Sequence, residues 1–189
     1  NWVFVIVETD EGITGLGEAT GGLQTQPRVA SIEETKHLVI GMDPCNVHEI
    51  WNYLYMSAFL NITPAMAGIE MACWDILGKS MGVPVHTLLG GKVRDEVRVY
   101  ANGWYSGGRN PKAMADKARE VIDKGYTALK FDPFGTAYMK MSRDEHKETR
   151  AIVGAVREAI GDSADLLIEA HDRFSVGEAV KIGNWLADY

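Results

Sequence analysis

Apolar positions along the chain follow two rhythms, and the change between them falls near residue 90. Residues 2–8 are mostly apolar and β-branched, and with Thr14–Glu18 they flank Asp10, Glu11 and Gly12, a turn signal. That pattern predicts a β-hairpin. Gly15 and Gly17 lie in its second arm, where glycine permits a bulge or a close backbone approach. Residues 20–27, with Gly21 and Gly22, read as a polar loop. Ser31–Glu34 has the Ser-x-x-Glu form of a capping box and predicts the start of a short helix. Asn46 is a candidate cap for a second helix, whose Val47, Ile50, Trp51 and Leu54 recur at helical spacing. Thr63 and Pro64 open a third helix. Its Ala65, Ala67, Gly68, Ala72 and Gly78 are so small that another element is expected to pack very close to it. Glu70, Asp75 and Lys79 on that helix read as a surface stripe and buried ion pairing rather than as catalytic groups.

Past Gly90 and Gly91, short apolar runs alternate with helical patterns. Residues 97–102 predict a strand, Pro111–Lys124 a helix, and residues 127–132 a second strand closed by Pro133. Ser142–Ile160 predicts a helix opened by a capping box at Ser142–Glu145. A third strand, read as buried and parallel, begins at Asp165, and residues 176–189 start another helix. Consecutive βα units of this length imply parallel pairing with right-handed crossovers. The expected organisation is an α+β module over residues 1–92 and a parallel α/β domain over residues 93–189. Such units do not close a barrel, which needs about eight strands. Asn1 is not an initiator Met, residues 2–8 read as mid-strand, and the last helical pattern simply stops. The chain is therefore expected to be an internal piece of something longer.

Composition narrows the partners. The formal net charge of −7 argues against nucleic acid, which needs a basic surface. No apolar run approaches the roughly 20 residues that span a bilayer, and no secretory signal is visible. Cys45 and Cys73 are far apart, so a reducing cytoplasm is expected over a disulfide framework.

The chemistry gathers in Asp165–Phe174, where an apolar run gives way to Glu169, His171, Asp172 and Arg173. In α/β proteins, sites collect at the carboxyl ends of parallel strands. On extended backbone Glu169, His171 and Arg173 would share a face, with Asp172 opposite. A hard anion, an imidazole and a guanidinium side by side suit a metal-bound, oxygen-rich substrate. A strand end followed by a solvated charged turn is the other reading of the same residues.

Residues 65–90 resemble the signature helix of the mandelate racemase/muconate lactonizing group of the enolase superfamily. The likeness rests on Ala65, Glu70, Ala72, Asp75, Gly78, Lys79, Pro84, Leu88 and Gly90, with Cys73 a minor departure. The hairpin ending in Gly15–Ala19 is similar to the same family's capping domain. This resemblance implies an α+β cap, here lacking its first strand, followed by the first βα units of a (β/α)7β, TIM-like barrel. It also implies Mg2+ held by carboxylates at the ends of the third, fourth and fifth barrel strands. Glu169 takes the third-strand place, where many relatives carry Asp, and the other two ligands would lie beyond Tyr189.

The shared chemistry is removal of the proton α to a carboxylate, through an enediolate that the metal stabilises. Relatives often carry Lys-x-Lys on the second strand. Here Lys130 keeps the first position and Asp132 replaces the second lysine, a departure from two-base racemisation. Glu169 and His171 resemble the Asp-x-His of acid-sugar dehydratases related to galactonate dehydratase. By that likeness His171 is the general acid for the departing hydroxyl, and a His–Asp pair from later strands takes the α-proton. Lys130 would favour the anionic intermediate. Asp132 would bind a substrate hydroxyl or cap the turn before Pro133, and Arg173 would hold substrate or form a structural ion pair. Residues 20–26 and 59–63 resemble loops that close over the barrel mouth. His37, His48 and His146 are expected to face solvent, His86 to be structural, and Trp104 with Tyr105 to offer an aromatic wall.

The resulting expectation is a Mg2+-dependent dehydratase converting an aldonate-like acid sugar to a 2-keto-3-deoxy acid. The alternatives are a racemase, epimerase or cycloisomerase of the same group, or a non-catalytic fragment. The intact protein is expected to be a cytoplasmic homo-oligomer, and this stretch alone to be inactive.

Overall fold

The computed structural model describes residues 2–58 and 63–189, and the chain divides into two compact units, Asn1–Asp95 and Glu96–Tyr189. In the first, strands β1 (Phe4–Glu8) and β2 (Thr14–Glu18) form the expected antiparallel hairpin, with Val5 opposite Gly17 and Ile6 opposite Leu16. Helices α1 (Thr25–Val39), α2 (Val47–Ser57) and α3 (Pro64–Met81) follow, then the short α4 (Val85–Leu88). Thr63 caps α3 by accepting from the Met66 N–H, and Pro64 sits where its missing N–H is harmless. The small residues of α3 do what their size implies. Gly15 and Gly17 of β2 lie directly on α3, where a Cβ would collide with the carbonyl oxygens of Ala72 and Gly68. Val3, Val5, Ile50, Leu54, Met66, Ile69 and Cys73 fill the core behind that contact.

The charged stripe of α3 serves this packing. Asp75 Oδ2 accepts from the Leu16 N–H at 2.9 Å and from Lys79 Nζ at 2.7 Å, and Lys79 also donates to the Thr14 carbonyl at 2.7 Å. The expected ion pair is thus present but half-exposed rather than buried. Lys79 and the Leu16 N–H together hold the Asp75 carboxyl below the usual carboxylate range. Glu70 accepts from the Trp74 indole N–H at 2.6 Å.

Two expectations for this unit fail. Ser31 does not open a helix: α1 begins at Thr25, so Ser31 lies inside it with its carbonyl accepting from the Thr35 hydroxyl. Pro27 misleads here, since a proline within the first turn removes only an N–H that had no partner. Asn46 occupies the cap position of α2, yet its side chain makes no capping hydrogen bond. Of the expected cap loop at residues 59–63, residues 59–62 lie outside the described residues.

The second unit contains helix α5 (Pro111–Asp123), strand β3 (Ala128–Phe131), helix α6 (Arg143–Ile160), strand β4 (Asp165–Ile168) and helix α7 (Val176–Leu186). Asn110, Ser142 and Ser175 cap the three helices, and Ser142 with Glu145 completes the predicted capping box. β3 and β4 are parallel, with Lys130 beside Leu167 and Phe131 beside Ile168. Leu129, Phe131, Phe134, Met114, Ala118, Ile152, Val153 and Val156 make the core. Residues 97–102 do not form the predicted strand. Only Ala101 bridges Leu129, because residues 97–100 lie alongside no ladder partner among the described residues. β4 is parallel as expected but not buried: Leu167 is 37% exposed, at a strand paired on one side only among the described residues.

Candidate active site

The β3–β4 register sets the site. Side chains alternate across a sheet, so Leu129, Phe131, Leu166 and Ile168 face the core while Lys130, Leu167 and their successors face away. The Glu169 N–H extends the ladder to the Phe131 carbonyl at 2.9 Å. This brings Lys130 and Glu169 to one face, where their side chains form an ion pair about one-quarter exposed. Lys130 holds the Glu169 carboxyl down at about 2, with help from the His171 N–H, which donates to Oε1 at 2.9 Å. The same contact raises Lys130 above its ordinary value, and the ammonium lies 5.5 Å from the centre of the Tyr100 ring.

Beyond Glu169 the chain turns instead of staying extended. His171 and Asp172 both take left-handed backbone, with φ of 51° and 53°, a conformation that costs a non-glycine residue about 1–2 kcal/mol. The alternation expected for Glu169, His171 and Arg173 is therefore absent, and the turn brings them together by another route. His171 Nδ1 lies 3.0 Å from Asp132 Oδ2, while Arg173 spans both oxygens of Asp132 with Nη2. Arg173 Nη1 also donates to the Gly135 carbonyl at 2.9 Å, and the guanidinium lies 5.9 and 5.8 Å from the Phe134 and Phe174 rings. Asp132 Oδ1 accepts from the Phe134 N–H at 2.9 Å, the turn cap foreseen before Pro133.

Acceptor capacity separates the two carboxylates. An ionised carboxylate offers about four lone-pair sites. Asp132 has committed all of them, to Phe134, His171 and twice to Arg173. Glu169 has given one oxygen to Lys130 and the other to the His171 N–H, so about half its capacity remains. Asp132 and Arg173 form an ion pair with each other, with side chains only 14% and 19% exposed, which is the structural alternative foreseen for Arg173. His171 is the reverse case, its side chain 61% exposed, with no hydrogen bond to Nε2 among the described residues.

Among the described residues no three His, Cys, Asp or Glu groups converge as a metal site. Glu169 is a hard, ionised oxygen donor with unused lone pairs at a strand end, which fits one ligand position for Mg2+. Trp104 and Tyr105 pack against Phe131, and the Trp104 indole donates to the Lys130 carbonyl at 3.0 Å, so they shore up the strand rather than line an open wall. The contact of Tyr100 with Lys130 is one that the sequence patterns above do not single out. Strand alternation from the core-facing Ala101 would have placed Tyr100 on the Lys130 side. His146 does not face solvent as expected: Nε2 lies 2.6 Å from Glu178 Oε1, and the two side chains are 12% and 8% exposed. His37, His48 and His86 are exposed.

Comparison with known proteins bears on all of this. The profile of the mandelate racemase / muconate lactonizing enzyme N-terminal domain matches residues 1–90, and that of the enolase C-terminal domain-like family matches residues 113–189. A D-gluconate dehydratase of Thermoproteus tenax is 40% identical over 99% of this chain and 39% of its own length. A D-gluconate/D-galactonate dehydratase of Picrophilus torridus is 38% identical over 99% of this chain and 49% of its own. The crystal structure of a mandelate racemase/muconate lactonizing enzyme from Sulfitobacter sp. superposes with a TM-score of 0.84 at 33% identity, covering 100% of this chain and 52% of that one. The chain thus spans about half the length, or less, of the relatives it matches.

Proposed function

The chain belongs to the mandelate racemase/muconate lactonizing group of the enolase superfamily, and from that premise we propose that it serves a Mg2+-dependent hydro-lyase acting on an aldonate-like acid sugar. The observation that carries this reading is the grouping of Lys130 on β3 with Glu169 and His171, which follow β4. The names of the two dehydratase relatives support the substrate class. In this proposal the parallel strands belong to a (β/α)7β barrel whose later strands supply the remaining carboxylate ligands and the base. Mg2+, when bound, places positive charge at the substrate carboxylate as the α-proton leaves.

Each residue then has a task. Glu169 would supply one ligand oxygen, and Lys130 holds its carboxyl further below the ordinary range while adding positive charge to the same face. With both ring nitrogens protonated, His171 passes its Nε2 proton to the β-hydroxyl oxygen as the carbon–oxygen bond breaks, so the group departs as water and the neutral ring keeps its Nδ1 proton. The enol that remains tautomerises to a 2-keto-3-deoxy acid. Asp132 in place of a second lysine speaks against two-base racemisation. We place the protein in the cytoplasm, in keeping with the free Cys45 and Cys73, and as a homo-oligomer.

The test is a screen of acid sugars against the full-length protein, following formation of the 2-keto acid. The best substrate is then given to His171→Asn. Dehydration is expected to fall at least about 100-fold, while exchange of the α-proton with deuterated solvent continues. Dehydration at a near wild-type rate would overturn the assignment of His171.

A further inference from the structure

We infer that Asp132 is the positioning residue of His171 and that Arg173 locks Asp132 in place; this deepens the proposed function, resting on His171 as the proton donor. Two carboxylates seize the histidine at different points. Glu169 Oε1 takes the backbone N–H and so holds the left-handed turn, while Asp132 Oδ2 takes ring nitrogen Nδ1 at 3.0 Å. An ionised carboxylate only accepts, so Nδ1 carries a proton and donates it to Asp132. Nε2 is then the nitrogen that faces outward, from a side chain 61% exposed. A ring free to rotate would present either nitrogen, and would lose entropy on each proton transfer.

Asp132 is itself held by several partners. Arg173 grips both of its oxygens, donates to the Gly135 carbonyl, and lies close to the Phe134 and Phe174 rings, which meet edge to face at 4.9 Å. The Phe134 N–H fills the remaining acceptor site. With its acceptor sites filled, Asp132 cannot also accept a substrate hydroxyl without surrendering one of these bonds. Its effect therefore belongs in the orientation of the imidazole and not in the affinity for substrate. Partners of this kind, which fix the tautomer of a working histidine, are commonly worth about 10- to 100-fold in activity.

Two measurements on the full-length protein decide it. With the acid sugar that the wild type dehydrates fastest, Asp132→Ala is expected to lower kcat about 10- to 100-fold with KM changed less than about threefold, and Asp132→Asn, whose amide oxygen still accepts from Nδ1, to recover part of the loss. A raised KM with kcat unchanged would make Asp132 a substrate ligand and overturn the inference, as would unchanged values of both. The second readout needs no activity. In protein labelled with 15N-histidine, with the His171 signals identified from His171→Asn, the neutral ring is expected to carry its proton on Nδ1 in the wild type and to move it to Nε2 in Asp132→Ala. A wild-type ring protonated on Nε2 would overturn the inference even if dehydration were established. An Nδ1 proton in a protein that dehydrates no acid sugar would uphold the contact and sink the dehydratase reading instead.

Discussion

Lys130 and Glu169 form a pair whose value depends on both partners being charged. The Glu169 carboxyl sits at about 2, below its ordinary 4.5, chiefly because Lys130 donates to it. A depressed carboxyl favours the folded state at pH above the ordinary value, and that contribution drains away as pH falls from about 4.5 through about 2. Lys130 is shifted the other way, so its share is present below 10.5 and is lost only as pH rises through its raised value. Lys130→Met is therefore expected to lift the Glu169 carboxyl toward the ordinary carboxylate range, as followed by a 13C titration of labelled glutamate. A carboxyl that stays near its wild-type value would mean that the His171 N–H, not Lys130, sets it. The placing of Glu169 and His171 at a strand end is legible in the sequence because an apolar run gives way there to charged residues, whereas Lys130 is singled out only by the family likeness of the second strand. The Asp132–Arg173 fork is not legible, since it depends on two non-glycine residues in left-handed backbone and on partners some forty positions apart in the chain.

Packing of β2 on α3 is the element-level feature that the sequence announced most clearly. Gly17 has no positive φ, so backbone preference alone would make alanine favourable by about 0.5–1 kcal/mol in a strand. The Gly68 carbonyl stands where that methyl would go. Gly17→Ala is accordingly expected to destabilise the protein by about 1–3 kcal/mol in urea unfolding, the usual cost of forcing extra volume into a packed contact. A neutral or stabilising result would show that strand and helix are not in backbone contact. Small residues at helical spacing opposite glycines in a strand made this approach readable in advance. Other element-level features misled. The Ser31–Glu34 box has the right residues in a segment that is already helical, and the polar chemistry of His146 suggests solvent where its position on α6 does not. Spacing of three and seven places it on the face of α6 that buries Thr149 and Val153, and it meets Glu178 there.

At the scale of the molecule, each unit is held by its own apolar cluster, and among the described residues no helix is long and apolar enough to cross a membrane. Residues 65–90 and the βα alternation after residue 93 made the two-part organisation legible, because small-residue helices and short apolar strands each have a sequence period. Residues 97–102 have strand propensity, yet ladder partners are not encoded locally, and among the described residues Ala101 alone of them bridges a strand. Everything proposed about chemistry rests on Glu169 as a ligand for Mg2+. Calorimetric titration of Mg2+ into the full-length protein and its Glu169→Gln variant tests that most directly. The account predicts binding by the wild type and a loss of affinity of about tenfold or more in the variant. Equal affinity for the two would contradict it.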